Sequence, residues 1–256
     1  MQSSSNLASV IAGKKPFAMA FLLACLLMPG CQETAILFGE DDEPVSRQVS
    51  LEAYRSVWTY GLFEISLIQD TVNKAVVKGK ASMVKNIHFK QEGGKVTVTE
   101  EKSNHWDQSG EKPLLEFHFR NLNYFRIEEP SRLYSRDTLH TNKLEVIVAN
   151  ELSEIDLLID AGYFYLENWT TSTGKYTLKG LCREFEMKLC GSGTLEARGL
   201  KAKNADITQQ SLGDGYITVS DTLKVHSSGQ GHIYYDGNPR KVIFTQQASG
   251  ELIPLQ

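Results

Sequence analysis

The sequence predicts an all-β chain wound as a β-solenoid. Three observations carry the prediction. Alternating apolar and polar residues recur after Pro44, no amphipathic stretch there exceeds two helical turns, and a glycine-marked corner repeats through the C-terminal half. The 256 residues, 41% hydrophobic with 20 Gly and 7 Pro, suffice for one sizeable core and argue against disorder. A formal charge of −4 offers no basic surface to a nucleic-acid backbone, so that partner is not expected.

The first 31 residues read as an address. Lys14-Lys15 precede an uncharged run from Phe17 to Met28, the charged and apolar regions of a secretory signal. The run is well short of the roughly 20 residues that span a bilayer as a helix. It ends Leu27-Met28-Pro29-Gly30-Cys31, which resembles the lipobox of bacterial lipoproteins. Residues 1–30 are therefore expected to be a lipoprotein signal peptide and Cys31 the lipid anchor. A plain secretory signal followed by a chance cysteine is the alternative. Several acyl chains on one cysteine anchor stably, where a single chain is marginal. Removing residues 1–30 leaves 25 basic and 31 acidic residues, a net charge of −6. Gln32 in place of Asp favours the outer membrane, by resemblance to enterobacterial sorting. Residues 31–44, with Glu40-Asp41-Asp42-Glu43, read as an acidic tether.

The strand signal is plain in Phe63-Glu64-Ile65-Ser66-Leu67, Lys95-Val96-Thr97-Val98-Thr99 and Leu144-Glu145-Val146-Ile147-Val148. In the C-terminal half, segments aligned on a glycine begin at Gly162, Gly193, Gly215, Gly231 and Gly250, spaced 31, 22, 16 and 19 residues apart. Three of these glycines close Gly191-Ser192-Gly193, Gly213-Asp214-Gly215 and Gly229-Gln230-Gly231. A repeat near 20 residues with a glycine corner is the signature of stacked coils. Glycine there permits positive φ or close backbone approach. On this register Phe164, Leu195, Ile217, Ile233 and Leu252 form one inward column. An antiparallel sandwich is the alternative, but it would not require the same corner in every coil.

The segment Ser227-Ser228-Gly229-Gln230-Gly231-His232-Ile233-Tyr234-Tyr235-Asp236-Gly237-Asn238-Pro239 resembles the closing motif of the head GIN domain family of auto-transporter adhesins, frequent in Bacteroidetes lipoproteins. Gly61-Leu62-Phe63-Glu64-Ile65-Ser66-Leu67-Ile68-Gln69 is similar to its opening strand. The resemblance spans roughly residues 45–256 and implies a right-handed, parallel, single-stranded β-helix. The uneven coil lengths and the polar stretches Glu100–Lys112 and Glu128–Asn142 depart from the pattern.

Little in the sequence assembles chemistry. The six histidines show no metal-ligand spacing, and Cys182 and Cys190 match no zinc or redox pattern. A disulfide between them is open to an exported chain, with unpaired thiols favoured. No metal or cofactor is expected. Gly191-Ser192-Gly193 lacks the spacing of a nucleophile elbow, and no βαβ unit surrounds the G-x-G pairs. Aspartates are scattered, which disfavours a polysaccharide-active β-helix enzyme, the alternative class. The candidate surface-binding residues are Tyr163, Tyr216 and His232 in one outward column, flanked by Tyr165 and Tyr234, as a platform for a glycan or another protein. Exposed tyrosine is also simply a good strand residue. Trp106 and Trp169, in longer polar segments, read as loop-tip contacts or as caps over the core. Asp70-Thr71-Val72, Asp137-Thr138-Leu139 and Asp221-Thr222-Leu223 resemble a Bacteroidetes O-glycosylation sequon. The expectation is a lipid-anchored envelope module that binds, with a passive scaffold as a further alternative.

Overall fold

The computed structural model describes residues 43–101, 111–169 and 171–255. The predicted signal peptide, Cys31, all but the end of the tether and Trp106 lie outside them. The described chain is strand almost throughout: β1 (Pro44–Ser50), β2 (Ser56–Tyr60), β3 (Glu64–Gln69), β4 (Lys74–Lys80), β5 (Ile87–Glu92), β6 (Lys95–Glu100), β7 (Leu114–Phe119), β8 (Tyr124–Ile127) and β9 (Arg132–Ser135). Then follow β10 (Leu139–Val148), β11 (Glu154–Asn168), β12 (Lys175–Gly191), β13 (Thr194–Ser211), β14 (Gly215–Ser227), β15 (Ile233–Asp236), β16 (Lys241–Gln246) and β17 (Leu252–Pro254). One four-residue helix, α1 (Ala81–Val84), joins β4 to β5.

The strands stack in parallel as coils of a β-solenoid. In–out alternation resets along the long strands, at Gly162–Tyr163 in β11, Lys179–Leu181 in β12 and Ser220–Thr222 in β14. Each reset turns the chain onto another face. On one face, A, the parallel levels run β7–β3–β9–β11–β12–β13–β14–β15–β17. On face B they run β6–β2–β8–β10–β11–β12–β13–β14–β16. The chain thus lays down β2 and β3, returns outside them as β6 and β7, and then resumes on their other side as β8 and β9.

That outer end is not parallel. Strand β4 pairs antiparallel with β7, β1 antiparallel with β4, and β5 antiparallel with β6. The coils themselves are parallel, as the resemblance implied, and these three antiparallel strands are added at one end. They cover the backbone groups that the first coil would otherwise leave open.

Equivalent residues form apolar columns. Val77, Leu115, Ile65, Leu133, Ile155, Tyr176, Leu195, Gly215, Ile233 and Leu252 follow one another behind face A. Behind face B run Val96, Val57, Phe125, Val146, Leu166, Met187, Ile207, Val225 and Phe244. Nearly all are fully buried, and each such side chain stabilises the fold by about 1.5–3 kcal/mol relative to exposure.

The single inward column expected from the sequence is three. Leu195, Ile233 and Leu252 share one, Ile217 lies with Ala197 and Tyr235, and Phe164 with Leu144 and Phe185. All but the half-buried Leu252 are buried, so the inward direction holds. The register differs because a different glycine stacks at one corner. Gly213, not Gly215, stacks on Gly193: a Cβ there would lie 2.4 Å from the Gly193 carbonyl oxygen. Gly231 stands in the same relation to Gly213 and Gly250 to Gly231, at 2.0 and 2.4 Å. The corner therefore recurs every 18–20 residues, and the uneven spacing disappears. Gly162 belongs to a different bend, against Asn142.

Buried polar side chains complete this corner. Ser211 Oγ donates to the Gly193 carbonyl at 2.8 Å and accepts from the Gly213 N–H at 2.9 Å. Ser227 Oγ donates to the Gly250 carbonyl. Asn168 bridges to the next coil in both directions, donating to the Cys190 carbonyl and accepting its N–H. Tyr176 and Ser172 share a hydroxyl bond of 2.7 Å.

Cys182 and Cys190 are free and buried. Burial pushes the Cys182 thiol up to about 11 and raises that of Cys190. Both stay protonated at pH 8, and the thiolate is the nucleophile. Iodoacetamide at that pH should leave both unmodified in the folded protein and alkylate both in urea, as read by peptide mass spectrometry.

Candidate binding surfaces

Face B carries an aromatic surface over the N-terminal and middle coils. The alternation of Ser56-Val57-Trp58-Thr59-Tyr60 buries Val57 and Thr59 and turns Trp58 and Tyr60 outward. In β8, Tyr124 and Arg126 face outward while Phe125 and Ile127 are buried. In β11, Tyr163 and Tyr165 flank the buried Phe164.

These side chains hold one another. Trp58 and Tyr124 pack with ring centres 6.1 Å apart. The Arg126 guanidinium lies 5.0 Å from the Trp58 ring centre and 5.2 Å from that of Trp169, and the Lys95 ammonium 4.6 Å from Trp58. Arg126 Nε donates to Glu128 at 2.6 Å, and that bond raises the guanidinium pKa further. Tyr163 donates to Glu186 and Tyr165 to Glu167, both at 2.8 Å. Partial burial and the carboxylate partners hold both phenols protonated far above the ordinary tyrosine range. Burial pushes the Glu167 carboxyl upward, but hydrogen bonds from Lys188 and Tyr165 outweigh it and leave it lowered.

Face A carries a smaller platform near the C-terminal coils. Tyr216 and Tyr234 are neighbours in one column and stack 4.8 Å apart at an interplanar angle of 9°. His232 meets Tyr234 edge-on at 6.1 Å. Its Nδ1 accepts the Glu251 N–H, which places the ring proton of a neutral His232 on Nε2. Its own N–H donates to Asp214 at 2.7 Å. Arg198 covers the other end at 4.9 Å from Tyr216, held by Glu196.

The five candidate residues therefore do not form one column. Tyr163 and Tyr165 lie on face B, Tyr216 and Tyr234 on face A, with His232 beside them. The correction follows from the register: Tyr163 aligns with Glu184, whereas Tyr216 aligns with Glu196, beyond the bends. Trp58, Tyr60, Tyr124 and Arg126 were missed, although their period-two placement in Ser56–Tyr60 and Tyr124–Ile127 was visible.

At the bend beside Tyr163 an open groove of about 380 Å³ runs past Glu186, Asn204, Asp206, Thr222 and Lys224. Its acidic groups are engaged: Glu184 accepts from Asn204, Glu186 from Tyr163, and Asp206 faces Lys224 at 3.7 Å. Asp214 and Asp236 act in turns, accepting the N–H groups of His232 and Gly237. Among the described residues no group of three or more His, Cys, Asp or Glu side chains could hold a metal ion. Of the three sequon threonines, Thr71 is exposed in a turn, with Asp70 accepting its N–H. Thr138 is half-buried, and Thr222 is half-buried within β14.

A family profile described as "Putative auto-transporter adhesin, head GIN domain" matches residues 53–239. The chain belongs to that family. Solved structures show the same fold. A "putative adhesin" from Bacteroides fragilis superposes with a TM-score of 0.77 at 16% identity, covering 83% of this chain and 97% of its own. A "putative lipid binding protein" from Parabacteroides distasonis reaches 0.63 at 14% identity, covering 83% and 97%. A "putative adhesin" from Parabacteroides merdae reaches 0.56 at 14%, covering 84% and 97%. No curated protein matches the chain. Among the described residues no helix is long and apolar enough to cross a membrane.

Proposed function

We propose that this head GIN domain protein is a lipid-anchored component of the cell envelope whose β-solenoid is a non-enzymatic, adhesion-like binding module. The observation that carries the reading is the aromatic surface of face B. Six outward rings (Trp58, Tyr60, Tyr124, Tyr163, Tyr165 and Trp169) are carried by β2, β8, β11 and the residue after β11 on one face of the solenoid. Rigid rings with polar tips give contact area at low entropic cost. Glycans and envelope proteins are the partner classes such a surface suits. The occupied state of the carboxylates supports binding over hydrolysis, which needs an acid and a base free to act.

Anchoring rests on Cys31 and the signal before it, and the outer membrane is the proposed location. Cys31→Ser should move the protein from the membrane fraction to the soluble fraction of fractionated cells. Unchanged membrane association would overturn the anchor. For binding, an envelope pull-down or glycan array should lose signal with Trp58→Ala plus Tyr163→Ala. Undiminished signal would remove face B from the reading.

A further inference from the structure

We infer that Trp58, Arg126 and Trp169 form a site for an uncharged glycan, with the Trp169 indole as the stacking surface. The inference rests on the binding-module reading and adds a place and a ligand class to it. Trp169 follows the end of β11, and its N–H bonds the Val148 carbonyl on the neighbouring coil. Arg126 lies two coils away, since β8 pairs with β10 and β10 with β11. Coils stack about 4.8 Å apart. The Trp169 ring and the Arg126 guanidinium therefore meet over the intervening coil. The outward-facing Ile147 and the following Ala149 on that coil are only 7% exposed, as such a cover requires.

The indole has the Arg126 guanidinium over one side of its ring and remains 45% exposed. A flat, partly exposed ring held on a rigid support is what the apolar face of a pyranose stacks upon. Polar groups stand beside it in fixed positions. Arg126 and Glu128 are mutually bonded and mostly buried, at 19% and 17% side-chain exposure. The guanidinium keeps donors beyond Nε, and the carboxylate keeps lone pairs, so the pair offers both kinds of partner to sugar hydroxyls. Tyr60 stands near enough to this pair for Glu128 to raise its phenol pKa, after partial burial.

Charge chooses among glycans. Lys143 pairs with Glu145, Lys188 with Glu167 and Arg126 with Glu128. Lys95 has no carboxylate partner among the described residues and lies over Trp58. The field over the face is close to cancelled, which favours a ligand rich in hydroxyls and poor in charge. A polyanion would meet the carboxylates at each pair.

The test is affinity electrophoresis of the full chain through gels containing neutral mannan, neutral galactan or polygalacturonate, followed by tryptophan-fluorescence titration. A neutral polysaccharide should retard the protein, with affinity changing less than about twofold between 0.05 and 0.5 M NaCl, since paired charges contribute little to steering. Trp169→Ala should weaken it at least about tenfold, as expected on truncating an aromatic anchor. Arg126→Lys, which keeps the charge and loses the planar stack, should weaken it less. Tyr216→Ala should leave it unchanged. Circular dichroism checks that each variant is folded. Salt-sensitive retention by polygalacturonate alone, equal retention of Trp169→Ala, or no retention in any gel overturns the inference. If no gel retains the protein while a pull-down through face B captures an envelope protein, the inference fails and the binding-module reading stands. Loss of both sinks both.

Discussion

Gly231→Ala is expected to destabilise the domain by at least about 3 kcal/mol, through overpacking against a backbone that cannot yield. The added Cβ would lie 2.0 Å from the Gly213 carbonyl oxygen and 2.6 Å from its carbon. Both are main-chain atoms, so no side-chain rotamer can relieve the clash. Shifting the Gly213 carbonyl would in turn disturb the coil beneath, because Gln209 donates to it at 2.9 Å. The strain is thus shared between two coils. Gly93→Ala is the control: nothing lies within 4 Å of its Cβ, and only its positive φ of 56° opposes alanine. That costs about 1–2 kcal/mol. Urea unfolding of the two variants should rank them in this order. Equal midpoints would mean that the corner does not stack as described.

Phe125→Ala should cost about 3–5 kcal/mol, the range for removing a buried aromatic side chain. Phe125 is fully buried between Val57 and Val146 in the face B column, and Phe117 meets it edge-on at 5.7 Å. The cavity would open where the returning strands rejoin the stack, and neighbouring coils hold its walls by backbone ladders that resist collapse. Tyr124 and Arg126 flank it in sequence on the outer side of the same strand. The variant should therefore also loosen the aromatic surface. Thermal unfolding measures the first effect. Tryptophan fluorescence of the still-folded protein measures the second, through a red shift as Trp58 gains water.

Much of this architecture was legible in the residues because a solenoid coil buries one side of each inner strand. Val57, Val96, Val146 and Leu166 announce themselves by period two, and they sit in one column. The corner was legible as glycine but its register was not. Each G-x-G offers two candidates, and only the stacked carbonyls distinguish Gly213 from Gly215. The split of the tyrosines between two faces was hidden for a related reason. A side chain's face depends on where the strand bends, and bends such as Lys179–Leu181 and Ser220–Thr222 share no residue type. The return of β6 and β7 outside β2 and β3 left no local trace, since parallel pairing is not written in either strand alone. The aromatic surface lay in plain view at Trp58, Tyr60 and Tyr124, but nothing local tied these residues to Tyr163.

The doubled-back start of the chain divides the molecule into two kinetic regimes. In the C-terminal coils, contacts close over short loops: Ser211 reaches Gly193 across 18 residues, and Asp214 receives His232 across 18. Apart from the β5–β6 hairpin, key contacts of the first coils do not. Phe63 bonds Ser131 across 68 residues, and Tyr54 bonds His118 across 64. Closing long loops before any contact compensates is slow. The coils made last by the ribosome are therefore the ones able to form first. By the same argument the face that carries Trp58 and Arg126 is expected to assemble after the C-terminal coils.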